Sequence, residues 1–178
     1  VIVSDYAMSL VPGWKDSILP PIYTLTSLQS SLGAILVILY ILRRWGGYEE
    51  YIGISTFWSA SKILLGLTLL WIYHTFAFFI TFWFGRLEVE QNIIKYLFVE
   101  SYGGIFLANL IFGFAIPFLI LLWNPVRKTA WGPALAGLSA VAAAFLFNIR
   151  IFVGSFNAGD IFDIGLSKVP AANYPDVW

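Results

Sequence analysis

The sequence predicts an all-α integral membrane protein: a four-transmembrane-helix bundle with an interfacial N-terminal segment and a polar C-terminal tail, forming one membrane domain over residues 1–178. Three observations carry that expectation. Hydrophobic residues make up 60% of the chain and charged residues 11%, with a mean hydropathy of +0.82, far outside the range of soluble domains. Four apolar runs, roughly 22–42, 57–84, 102–123 and 131–153, each reach the about 20 residues needed to cross a hydrocarbon core. None of them alternates with period two, so their backbone groups are satisfied within helices rather than in a barrel.

The charges and cysteines narrow the function classes. Ten basic and ten acidic side chains cancel, so net charge points to neither nucleic acid nor an acidic partner. Cysteine is absent, which excludes within this chain a disulfide framework, a thiolate nucleophile and a cysteine-held zinc or iron–sulfur cluster. His74 is the single histidine, and a haem held by two histidines needs a second. No haem, iron–sulfur cluster or metal is therefore expected to be held by this chain alone.

Segment 1–20 is polar and aromatic, with "PGW" and "LPP" expected to break regular structure and leave it along the outer interface. The start at Val1 shows no basic region or cleavage site of a signal peptide and is not expected to be a natural N-terminus. In the first helix, Thr24, Ser27, Ser31 and Ala34 recur at three and four residues, a small stripe suited to close helix approach. "RRWGGYEEYIG" follows as a short turn, with Gly46 and Gly47 supplying backbone freedom.

The second helix is the unusual one. Ser59, Lys62, Gly66, Tyr73 and Thr81 recur on one face, with His74 about 100° round from Tyr73. Charged groups are costly in hydrocarbon, so this stripe is expected to face the bundle interior or a wet cavity, although Lys62 is near enough to the helix end to snorkel. His74, deeper in, has three readings: a packed neutral imidazole, a donor to a quinone carbonyl, or a proton relay with an unperturbed pKa near 6.5.

In the third helix Asn109, Gly113 and Pro117 share a face, and Pro117 is expected to kink the helix or free a carbonyl. The fourth lines Gly137, Ala140, Ala144 and Asn148 along one side. Trp14, Trp83, Tyr96, Trp123 and Trp131 fall near the expected membrane boundaries. Arg43 and Arg44 close the first helix and Arg127 and Lys128 follow the third, so that side is expected to be cytoplasmic and both termini external. The tail from Phe156 carries three aspartates and two prolines, too polar to span, and is expected to cover the outer surface or dock on another subunit.

Three stretches together resemble one family. "SDYAMSLVPGW" (4–14) resembles a D-W-x-M-S-L-x-P-x-W segment preceding a membrane helix. "SKILLGLTLLWIYHTFAFFITFWFGRLEVE" (61–90) resembles a G-K-L-L … W-x-Y-x-x-F … W-Y-x-N-L-P-E-E helix and loop, and "FAIPFLILLWNPVRK" (114–128) an F-x-x-P-F-x-x-L-L … K-R helix end. Over about 125 residues, in order and spacing, the chain resembles the NrfD/PsrC-type quinone-interacting membrane subunits, above all those of bacterial alternative complex III. It departs from them at Val11, Gly13, Ser59, Arg86 and Val89, where acids, a histidine, an asparagine or a proline are usual, and "FNIRIFVGSF" lacks an expected aspartate.

The resemblance implies a subunit of a quinol-oxidising electron-transfer complex in a bacterial inner membrane, matching the second four-helix bundle of a longer or split protein. It implies a menaquinone or ubiquinone as cofactor. The implied partners are further membrane subunits, an iron–sulfur or molybdopterin-type subunit and c-type cytochromes. Lys62, Tyr73 and His74 along the second helix, with Asp5, Glu88 and Arg150 nearer its outer end, are the residues expected to shape a quinone site or proton pathway. The lost acids leave a purely structural anchor as the rival expectation.

Overall fold

A computed structural model describes residues 2–10, 17–85 and 93–157. Four helices in it are long and apolar enough to cross a membrane: α1 (Leu19–Trp45), α2 (Ile54–Gly85), α3 (Gly103–Leu122) and α4 (Trp131–Val153). No strand occurs among the described residues. By length and composition, these four helices make the chain a multi-pass membrane protein, and the regular elements among the described residues are all helical.

α1 packs against α2 and α4, and α3 packs against the same two, so the helices form a ring in which chain neighbours are spatial neighbours. α4 is the most enclosed, with 50% of its apolar window buried against 22–28% for the others. Its sequence explains this, because Gly132, Ala134, Ala136, Gly137, Ser139, Ala140 and Ala143 are all buried and let neighbouring backbones come close. The closest approach is to α1. A Cβ on Gly33 would lie 2.5 Å from the Gly137 carbonyl oxygen, and one on Gly137 would lie 2.6 Å from that of Gly33.

Apolar packing divides along the bundle. Met8, Leu19, Ile22, Trp71, Phe78, Phe82, Phe147 and Ile151 fill the end where α1 begins. Leu36, Phe57, Leu64, Leu121, Ala136 and Ala140 fill the other.

The N-terminal stretch contains a short helix, Ile2–Tyr6, and a 3-10 turn, Met8–Leu10. "LPP" does not break structure, contrary to expectation; it opens α1, where the missing proline N–H groups are unneeded and the fixed φ suits the first turn. The turn after α1 behaves as its glycines predict, with Gly47 at φ 74°. Arg43 Nη1 fastens it by donating to the Glu49 carbonyl at 3.1 Å and also to the Ile52 carbonyl.

Two expected seams point the other way. Thr24, Ser27 and Ser31 of α1 are exposed, and the buried seam is Ile22, Thr26, Gln29, Gly33 and Leu36. Ser59, Lys62, Gly66, Tyr73 and Thr81 of α2 are exposed as well, whereas Phe57, Ser61, Leu64, Thr68, Trp71, Thr75, Phe78 and Phe82 face inward. The inward polar groups are hydroxyls, which can bond their own helix backbone; a buried lysine has no such recourse.

α3 keeps its expected face, with Asn109, Gly113 and Pro117 all buried. Its Ile111–Ala115 turn is a π-turn in which the Ile116 N–H reaches the Ile111 carbonyl, the local widening that commonly accompanies proline in a membrane helix. On α4, Gly137 and Ala140 are buried, while Ala144 and Asn148 are only partly covered. Of the boundary aromatics, Trp83, Trp123 and Trp131 are exposed at helix ends, and Tyr96 is buried instead. Trp14, loop 86–92 and residues 158–178 lie outside the described residues.

Candidate functional site

The six residues singled out in the sequence do not converge on one place. Lys62 lies near the start of α2, its Nζ 3.8 Å over the Trp58 ring, with Lys128 Nζ 5.9 Å from the same ring. Tyr73 is 65% exposed and meets the His74 ring edge-on at 5.4 Å. His74 Nδ1 is 2.9 Å from the Leu70 carbonyl of its own helix, a contact in which a neutral ring donates from Nδ1 and presents Nε2 as an acceptor. Asp5 is exposed on the N-terminal helix, where its carbonyl accepts from Ser9 Oγ. Glu88 lies outside the described residues.

Arg150 is different in kind. It sits in the last turn of α4, 3% exposed, and its Nε and Nη1 have no hydrogen-bond partner among the described residues. Three aromatic rings surround its guanidinium: Phe98 and Phe106 at 4.9 Å and Phe147 at 5.5 Å. Ring faces attract a cation by about 0.5–2 kcal/mol each. Each unmade hydrogen bond on a buried donor costs about 1–3 kcal/mol, more when the group is charged, so the cage leaves the cation under-satisfied.

The segment above this cage is built around two tyrosines. Tyr96 donates to the Gly154 carbonyl at 3.1 Å and meets Tyr102 edge-on at 5.2 Å. Burial first, then the hydrogen bond and charge of Tyr102, hold the Tyr96 phenol above its ordinary range. Lys95 and Glu100 pair at 3.2 Å on the surface beside them.

The bundle interior carries polar groups of which the sequence reading places only Asn109 inward. Gln29 Nε2 reaches from α1 across the bundle and donates to the Gly113 carbonyl at 2.7 Å and to Thr68 Oγ1 at 3.0 Å. That carbonyl lies four residues before Pro117, which has no N–H to give it, so the glutamine replaces the lost helical donor. Trp71 Nε1 donates to Thr26 Oγ1 at 2.9 Å, and Asn109 Nδ2 to the Ala143 carbonyl at 2.6 Å. The single amide within the 22–42 run, and a glycine four residues before a proline, are the available signals.

A groove of about 320 Å³ opens on the outer surface between α1 and α4, lined by Ser30, Ser31, Ala34, Val141, Ala144, Phe145 and Asn148. Ser30 Oγ donates to the Ser27 carbonyl and Asn148 Nδ2 to that of Ala144, so both donors are already engaged. No cluster of three or more potential metal-ligating side chains occurs among the described residues.

Among the described residues the arrangement thus offers a buried, under-satisfied donor site at the α4 end and an outward polar face on α2. The sequence matches none of the protein-family models or curated proteins with which it was compared.

Proposed function

We propose that this chain is a membrane subunit of an NrfD/PsrC-type quinol-oxidising electron-transfer complex, contributing a quinone contact at the Arg150 end of the bundle. The observation that carries the reading is the aromatic cage holding a guanidinium with two donor atoms unpartnered among the described residues. A quinone is a planar ring with carbonyl oxygens, and one of those oxygens would accept from Arg150 Nε or Nη1. The quinone is a menaquinone or ubiquinone in this proposal. Electrons leave through an iron–sulfur or molybdopterin-type subunit and c-type cytochromes, because a chain without cysteine has no metal relay of its own.

The proposed setting is a bacterial inner membrane with the Arg43, Arg44, Arg127 and Lys128 end cytoplasmic. Arg150 then lies toward the outer face. Lys62 and Tyr73 face away from the bundle and His74 lies half-buried on their flank, so a quinone or proton role for them requires a group supplied from outside it.

A structural anchor without its own site is the second reading, favoured by the interior itself. Gln29, Thr68, Trp71 and Thr26 bond to one another and to helix backbone, a pattern that secures helices.

Arg150→Met and Arg150→Lys in the assembled complex separate the two. The quinone reading expects quinol oxidation to fall at least about tenfold in Arg150→Met, the cost of one charge-assisted hydrogen bond of about 1.5–3 kcal/mol, with partner subunits still bound. Full turnover in an assembled Arg150→Met complex rejects the quinone contact and leaves the anchor.

A further inference from the structure

The outward face of α2 differs from the other outward faces. α1 presents Leu28, Ile35 and Ile38 to its surroundings together with Thr24, Ser27 and Ser31, of which Thr24 and Ser27 close on their own helix carbonyls, and α4 presents Leu135, Leu138 and Phe145. None of these side chains carries a charge. α2 presents Lys62, Gly66 and Tyr73 along one meridian, with His74 on its flank.

Each of these is unexplained by the chain itself. Lys62 forms no ion pair among the described residues and rests only on Trp58. Gly66 is exposed, and a Cβ there would meet nothing, so no contact inside the bundle requires glycine. Glycine in a helix interior costs about 0.8–1.0 kcal/mol relative to alanine. Tyr73 directs a hydroxyl outward, 11 residues beyond Lys62, and His74 offers a ring-nitrogen acceptor beside it. A helical rise of 1.5 Å per residue puts the hydroxyl about 16 Å deeper than the ammonium.

We infer that the Lys62–Gly66–Tyr73 face of α2 docks a membrane-spanning helix of a different protein. That helix carries a carboxylate opposite Lys62 and a hydrogen-bonding side chain opposite Tyr73 and His74. Gly66 is the notch that lets the two backbones approach. Charge selects the occupant: a second copy related by a two-fold axis along the membrane normal would set Lys62 against Lys62 at the same depth. A lipid chain would leave the Tyr73 hydroxyl and the second ring nitrogen of His74 unpaired in hydrocarbon. The inference holds whether or not Arg150 binds a quinone.

The absence of cysteine makes the chain its own labelling background. A nitroxide is attached at Leu69→Cys, one turn from Gly66, and separately at Leu138→Cys on α4, both in the full chain within its native membrane assembly. Oxygen accessibility is then read from spin relaxation. The expected result is several-fold lower oxygen access at 69 than at 138, restored to the level at 138 by Gly66→Leu or Lys62→Glu, with the label at 138 unchanged. Equal access at both positions means that lipid covers the face and overturns the inference. Spin–spin broadening at 69 means that a second copy covers it and overturns it equally. Low access that neither substitution relieves overturns the assignment of Lys62 and Gly66 as the contact.

Discussion

The two faces of α2 differ in where their polar groups find partners. Inward, Ser61, Thr68, Trp71 and Thr75 each direct a polar atom to a partner within the chain: the Trp58, Leu64 and Trp71 carbonyls and Thr26 Oγ1. Outward, Thr81 Oγ1 and His74 Nδ1 also close on carbonyls of α2, whereas Tyr73 finds only a ring contact and Lys62 only the face of Trp58. In water the polar face of a helix is the outer one because solvent satisfies it; in a bilayer neither face has that help. Bonds that cross from one helix to another, Trp71 Nε1 to Thr26 Oγ1 and Gln29 Nε2 to Thr68 Oγ1, mark the inside of this bundle; polarity alone does not.

The sharpest break in that comparison comes from glycine. Gly137 and Gly66 are both helical glycines, but a Cβ on Gly137 would meet a backbone oxygen at 2.6 Å, whereas one on Gly66 meets open space. A backbone carbonyl cannot swing aside as a side chain can. Gly137→Leu is therefore expected to force α1 and α4 apart and cost at least about 3 kcal/mol, beyond the usual overpacking penalty. Unfolding in mixed detergent micelles measures it; wild-type stability would mean that the Gly33–Gly137 contact is not a packing constraint.

Next in size is the Gln29 node. Gln29→Leu leaves the Gly113 carbonyl without its donor, at an expected cost of about 1–3 kcal/mol. Pro117→Ala restores an N–H at the position that normally serves that carbonyl. In the Pro117→Ala background the glutamine substitution should then cost less, with a coupling energy of about 0.5–3 kcal/mol from the double-mutant cycle. Strict additivity would show that Gln29 does not stand in for the missing proline donor.

What could be read from the sequence follows the same division. The four spans were legible because bilayer thickness demands length and apolarity, and the described helices extend only a few residues beyond the expected runs at α1 and α2. The face of α3 was legible as well, since Asn109, Gly113 and Pro117 are a packing signature that does not depend on solvent. The faces of α1 and α2 were not: with hydrocarbon outside and hydrocarbon-like packing inside, hydropathy gives no gradient. The ionisable stripe was assigned inward on cost, when the cheaper inward polar groups were Thr26, Thr68 and Thr75, which close on their own helix carbonyls. Arg150 was legible as a candidate but its cage was not, because Phe98 and Phe106 reach it from a segment some 50 residues earlier in the chain.

The smallest effect tests the outer face directly. If Gly66 serves nothing within this chain, Gly66→Ala should stabilise the isolated chain in micelles by up to about 1 kcal/mol, the gain in helix propensity with no packing cost. The same change in the native assembly should loosen the contact across α2, since one methyl group now stands where a second backbone would approach. The two measurements therefore have opposite expected signs: a higher unfolding midpoint for the free chain, and easier detergent dissociation of the assembly. Such a reversal cannot arise from a general effect of alanine on the helix, because propensity is the same in both settings. A gain in both would assign Gly66 to lipid contact, and a loss in the free chain would mean that the glycine is needed inside the bundle after all.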